Sequence, residues 1–148
     1  MTKIQEREVR LELPKVIGKH VYGNLNEVNP KVIADLNYLI KTVVESSKVG
    51  NLHIIEMITK KFNSYNEYDG GVSIIALIEE SHIALHTWPE SMYATLDIYS
   101  CGEESNPDAA FSYIVNKLKP KSVTSSFIDR SKMWFNFLFY LYYLDLVL

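Results

Sequence analysis

Short apolar runs bounded by turn residues recur along this chain, and helical spacing of apolar positions appears in only two stretches. "VIGKHVYGNL" (16–25) predicts a strand. In "NPKVIADLNYLIKTVVESSKVG" (29–50), Val32, Ile33, Leu36, Leu39, Ile40 and Val43 recur on one helical face. Asn29 caps that helix, Pro30 suits its first turn, and Gly50 ends it. A strand over 52–62, a polar loop over 63–71, and strands over 72–79, 82–88 and 93–100 follow. "PESM" joins the last two, which predicts an antiparallel hairpin. A second Asn-Pro opening starts a helix over 106–120, and "SVTSSFI" (122–128) predicts a final strand. The order β-α-β-β-β-β-α-β points to an α+β two-layer sandwich, a largely antiparallel sheet with helices packed on one face.

At 148 residues the chain is one domain by size, and no linker or charge block divides it. A formal net charge of -3 offers no basic stripe, so nucleic acid is not an expected partner. One cysteine cannot close an internal disulfide, and the charged N-terminus "MTKIQEREVRLELP" lacks the apolar centre of a signal peptide. A cytoplasmic protein is expected. The C-terminal run "MWFNFLFYLYYLDLVL" (133–148) is almost wholly apolar. It is short of the roughly 20 residues a membrane span needs. It reads as a segment packed on the domain or at a subunit contact. A membrane-surface anchor or a dispensable tail are the alternatives.

The chemistry concentrates between residues 78 and 105, in "IEESHIALHTWPESMYATLDIYSCGEES". His82 and His86 share strand parity, yet neither HExxH nor CxxC accompanies them and Cys101 completes no ligand set, so no metal is expected. Ser81 lacks the Gly-x-Ser-x-Gly elbow of a hydrolase. Taken singly, each of these residues reads as structural: a satisfied strand histidine, or a small apolar thiol. The combination is what stands out.

"EESHIALHTWPE" followed by "YATLDIYSCG" closely resembles the hallmark region of the prokaryotic S-adenosylmethionine decarboxylase proenzymes, which cleave themselves and carry a pyruvoyl group. "GKHVYGNL", "GGVSIIALI" and "NPDAAFSYIVNKLKPK" extend the likeness. It implies a catalytic domain over 17–131, with an N-terminal extension over 1–16 and an atypical apolar tail over 132–148. It also explains the crowding. A decarboxylase needs an electron sink that no ordinary side chain provides, and the family makes one from its own backbone. By resemblance, the Ser81 hydroxyl attacks the Glu80 carbonyl. The ester eliminates Glu80 as a carboxylate, and the dehydroalanine hydrolyses to the pyruvoyl group that forms a Schiff base with substrate. His86, expected on the same strand face as Ser81, resembles the base for processing. Cys101 resembles the acid that protonates the product carbon. Ser73 matches a residue that assists processing, while His82 receives no role. The resemblance also implies a homo-oligomer, dimeric in the family, with active sites shared across the interface.

The family includes a crenarchaeal-type branch that converts L-arginine to agmatine, so two amino-acid substrates stand nearly level. In "NSYNEYDGG", Glu67 and Asp69 offer carboxylates to a guanidinium, whereas Tyr65 and Tyr68 offer platforms for adenine. The acids and the long N-terminal stretch tip the reading slightly to arginine; "HTWPE" is the commonplace form of the main family. A non-enzymatic rival is an unprocessed paralogue serving as a regulatory subunit. It would be marked by loss of the serine, histidine or cysteine, and all three are present.

Overall fold

The computed structural model describes residues 16–64, 67 and 69–131. The N-terminal stretch, Tyr65, Tyr68 and the apolar C-terminal run lie outside the described residues. Among the described residues, six strands form one antiparallel sheet: β1 (Lys19–Asn26), β2 (Ile54–Lys61), β3 (Val72–Ile78), β4 (Ser81–Trp88), β5 (Tyr93–Ser100) and β6 (Ser122–Asp129), ordered β2-β3-β4-β5-β1-β6. The hairpin expected around "PESM" is β4–β5, closed by a 3-10 turn at Pro89–Ser91. The α+β sandwich expected from the sequence is the fold observed.

The stretch expected as one helix over 29–50 is two: α1 (Pro30–Ile33) and α2 (Leu36–Val49). Asn29 caps the first, accepting from the Lys31 N–H at 3.0 Å. Asp35 then takes an extended conformation, and its carboxylate accepts from the Tyr38 N–H at 3.0 Å. A short acid that bonds the backbone locally starts a new helix rather than continuing the old one. The apolar period runs on across the break, which is why periodicity alone joined the two. Gly50 does close α2, but at a negative φ of -83°; the left-handed residue is Asn51. The glycine is there for space. A Cβ on it would lie 2.9 Å from the Ala110 Cβ, where α2 meets α3 (Pro107–Leu118).

The helices cover one face of the sheet. Leu39, Val43, Ile114 and Leu118 bury against Leu25, Ile74, Ile83, Leu85, Leu96 and Ile98 in a single core. Thr87 ties this layer together: its hydroxyl donates to the Ile33 carbonyl and accepts from the Val72 N–H, each at 2.8 Å. Alternation sends the other residues of each strand to the opposite face, which no described helix covers. Ile58, Ile75, Leu77, Tyr22 and Trp88 are exposed there, among Ser73, His82, His86, Asp97 and His20. None of the described helices is long and apolar enough to cross a membrane.

Candidate active site

The β3–β4 hairpin pairs Ile78 with Ser81, so only Glu79 and Glu80 form its loop. Two-residue loops favour positive φ at their central positions, usually with glycine or asparagine. Here the loop is Glu-Glu, and neither residue has a positive φ; the positive value falls on Ser81, at 150°. That region is nearly closed to residues with a Cβ, and holding one there costs on the order of 1–3 kcal/mol. The Glu80–Ser81 peptide bond therefore joins a tight turn to a strained residue.

β4 pairs with β5, setting Ser81 opposite Ser100 and Cys101 beside the turn. The Glu80 carbonyl oxygen accepts two hydrogen bonds from Cys101, from its backbone N–H at 2.9 Å and from its thiol at 2.9 Å. Two donors on one carbonyl draw charge from the carbon to which Ser81 is joined. This is the arrangement of an oxyanion site, built before any charge develops. The Ser81 hydroxyl lies 3.2 Å from Nδ1 of His82.

The Glu80 side chain is held separately. Its carboxylate accepts from the His53 backbone N–H at 3.1 Å and from the ring Nδ1 at 2.6 Å. The hydrogen bond to Glu80 and its charge raise the His53 pKa above the ordinary 6.5. Burial pushes the Glu80 carboxyl up, but the His53 ring and backbone donors outweigh it and hold the group below its ordinary 4.5. Glu79 joins them, and one potential ligand atom from each of the three lies within 4.8 Å of the others.

Ser73 and His86 meet elsewhere. They are register partners on β3 and β4, with Oγ and Nδ1 2.8 Å apart. Five residues along β4 separate His86 from Ser81, roughly 17 Å at strand spacing. The expectation that His86 shares a strand face with Ser81 fails on parity. An offset of five is odd, so His86 belongs with His82, Ala84 and Trp88 instead. Within one chain, Ser81, Glu80 and Cys101 converge, and the Ser73–His86 pair stands apart.

A cavity of about 290 Å³ opens beside that pair, lined by Phe62, Gly70, Gly71, Trp88 and Glu90 as well as Ser73 and His86. Gly71 passes so close to β4 that a Cβ on it would meet the Thr87 carbonyl oxygen at 2.2 Å. The acids singled out from the loop lie differently. Glu67 is exposed. Asp69 lines a separate groove with Lys31, Asp35 and Lys61. Tyr65 and Tyr68 lie outside the described residues. The acid that does line the cavity, Glu90, went unnoticed in the sequence, although "HTWPE" places it four residues from His86. His53 and Asp97 were missed as well. The signal for Asp97 was an acid in the middle of the apolar strand "TLDIY".

Residues 19–131 match the family model described as S-adenosylmethionine decarboxylase. The chain belongs to this family. Similar relatives include the arginine decarboxylase proenzymes of Caldivirga maquilingensis and Pyrobaculum arsenaticum. They are 45% and 47% identical over 116 residues, which is 78% of this chain and 85% and 86% of theirs. The crystal structure of the adenosylmethionine decarboxylase from Aquifex aeolicus superposes with a TM-score of 0.70 at 30% identity, covering 80% of this chain and 93% of that one. The protein is thus a decarboxylase, and the regulatory paralogue is set aside.

Proposed function

We propose that this chain is a proenzyme that cleaves itself between Glu80 and Ser81, converts Ser81 to a pyruvoyl group, and then decarboxylates L-arginine to agmatine in the cytoplasm. One observation carries the self-cleavage: the Glu80 carbonyl sits under two Cys101 donors, at 2.9 Å each, next to a serine held at a φ of 150°. The residues present suit the group, because a pyruvoyl group forms from a serine whose preceding carbonyl is open to acyl transfer, and Ser81 follows such a carbonyl.

The Ser81 Oγ adds to the Glu80 carbonyl carbon while the Cys101 N–H and thiol hold the developing oxyanion. The C–N bond breaks, leaving Glu80 as an ester of Ser81 and relieving the strained linkage. A base then removes the Ser81 α-proton, and Glu80 departs as a carboxylate. Water replaces the nitrogen of the resulting dehydroalanine, which leaves as ammonia. The pyruvoyl carbonyl, once formed, supplies the electron sink for the carbanion left by CO2. Cys101, already beside that position, returns a proton to the product carbon.

His86 is assigned the removal of the α-proton, with Ser73 orienting its ring. Since this pair lies roughly 17 Å from Ser81 in its own chain, it acts on a second copy. The uncovered sheet face supports that assignment: it carries Ser73 and His86 among exposed Ile58, Ile75, Leu77 and Trp88. In such a dimer each Ser81–Cys101 end meets the other chain's Ser73 and His86.

Arginine is favoured by the two proenzymes so named at 45% and 47% identity, and by the Glu90 carboxylate in the cavity beside His86. S-adenosylmethionine is the second reading, favoured by Phe62 and Trp88 in the same cavity as stacking surfaces for adenine. Intact mass tests the self-cleavage. The purified protein should give residues 1–80 and a second chain with a pyruvoyl group in place of Ser81, and Ser81→Ala should give one chain. A full-length chain that still decarboxylates would refute the pyruvoyl route.

A further inference from the structure

His86 does not reach Ser81 within one chain, so the hydroxyl needs another proton acceptor for its attack. The residue in place is His82. Its Nδ1 lies 3.2 Å from the Ser81 Oγ, and its Nε2 lies 3.0 Å from Oδ1 of Asp97. The other oxygen of Asp97 accepts from Nε2 of His20 at 2.9 Å. A carboxylate that receives the Nε2–H of His82 fixes the proton there and leaves Nδ1 as a lone pair facing the serine. This is the division of labour of a serine–histidine–aspartate relay, here aimed at the chain's own backbone.

The strand register explains how three residues from three strands meet. His82, Tyr99 and His20 lie in one row across β4, β5 and β1, and Asp97 lies two residues along β5 from Tyr99. The residue opposite Asp97 on β4 is Ala84, whose small side chain leaves the carboxylate room to serve both imidazoles. Both rings contact Tyr99, with centroids 6.1 and 5.7 Å away, and the Arg130 guanidinium stands 4.2 Å over that tyrosine. His82 is a half-buried ring held in one orientation.

We propose that His82, positioned by Asp97, takes the Ser81 Oγ proton during the acyl shift and delivers it to the departing amide nitrogen. The Oγ–C bond forms as the C–N bond breaks, and the proton moves from Oγ to Nδ1 and on to nitrogen, so His82 ends as it began. The acyl shift then needs only one chain, whereas the elimination needs the His86 of a second. This rests on the self-cleavage reading above.

The two histidines are separated by what accumulates without them. Hydroxylamine cleaves an ester and leaves an ordinary amide intact, and intact mass reads the outcome on purified full-length chains. His86→Ala should stall as an ester and split at Ser81 on hydroxylamine treatment. His82→Ala should remain one resistant chain, with ester formation slowed by roughly 10²-fold or more, and added imidazole should restore cleavage. Asp97→Asn should give the same resistant precursor, and Asp97→Glu should recover part of the rate, which a purely structural carboxylate would not require. A His82→Ala chain that processes at the wild-type rate, or that accumulates a hydroxylamine-sensitive ester, overturns the proposal. Should that variant fail to fold, wild-type processing by Asp97→Asn overturns it instead. If the wild-type protein itself stays a single chain, the self-cleavage reading falls first, whatever the variants do.

Discussion

Ser73 and His86 face each other across β3 and β4 with Oγ and Nδ1 2.8 Å apart, at the opposite end of β4 from the Glu80–Ser81 bond. The pair lies away from the Glu80–Ser81 bond of its own chain. If the pair serves the Glu80–Ser81 bond as proposed, one demand follows: it acts on a second copy of the chain.

Complementation tests that demand. Ser81→Ala cannot be cleaved but keeps His86; His86→Ala keeps Ser81 but lacks the base. Alone, each should remain full length. Co-expressed, mixed dimers should cleave the His86→Ala chain only, because its Ser81 meets an intact His86 from the other copy. Mass spectrometry distinguishes the chains. Mixed dimers in which neither chain is cleaved would place the base within one chain and undo the shared site.

The two roles proposed for Cys101 are separable by substitution. Cys101→Ala keeps the backbone N–H on the Glu80 carbonyl and loses the thiol. One neutral hydrogen bond is worth roughly 0.5–1.5 kcal/mol, so processing should slow by about two- to tenfold. Cys101→Ser keeps a donor and should process near the wild-type rate, yet lose turnover, because a hydroxyl is a far poorer acid than a thiol. Timed gels report the first effect and CO2 release the second. Full turnover in the serine variant would remove Cys101 from the decarboxylation step.

The His53–Glu80 pair sets a pH window for the scissile turn. The folded pKa of His53 is raised, so its contribution is complete below the ordinary 6.5 and fades as pH rises through the raised value. The folded pKa of Glu80 is lowered, so its contribution is complete above the ordinary 4.5 and fades as pH falls through the lowered value. Both hold between about pH 4.5 and 6.5. In the uncleaved Ser81→Ala chain, amide protection at residues 79–81, taken as the exchange rate relative to the intrinsic rate at each pH, should be greatest there and fall on either side. His53→Ala should abolish the dependence; a flat profile in the parent chain would mean the pair does not order the turn.

What could be read from the sequence was what lies close along it. Glu80, Ser81 and Cys101 meet because adjacent strands in a hairpin bring their ends together, and alternation with turn residues announces hairpins. The break at Asp35 was hidden because the apolar period continues through it, and only the local hydrogen bond from Tyr38 reveals the new start. The place of His86 was misjudged by one residue of parity, which in a strand moves a side chain to the other face. Asp69 and Glu90 show the harder limit. Both are acids near the motif, but the path of the loop after Phe62 decides which of them lines the cavity. A loop's path is set by closure and by contacts such as Gly71 against Thr87, which carry no periodicity.

The proposed preference for arginine is tested at that cavity. If the Glu90 carboxylate receives a guanidinium, arginine should be turned over in strong preference to S-adenosylmethionine, and Glu90→Gln should raise KM for arginine. A hydrogen bond to a charged group is worth about 1.5–3 kcal/mol, which corresponds to roughly ten- to hundredfold. Rates should be normalised to pyruvoyl content, since Glu90 lies beside His86 and its loss can also slow processing. Trp88→Leu should leave arginine binding nearly unchanged, because a guanidinium bound through a carboxylate does not depend on an indole surface. With adenine as the distal group the pattern inverts: the tryptophan variant suffers and the glutamine variant keeps its turnover. Agmatine formed from labelled arginine, and its absence with S-adenosylmethionine as the better substrate, are the two outcomes that decide between the readings. The second would move this chain to the other branch of its family while leaving the chemistry at Ser81 untouched.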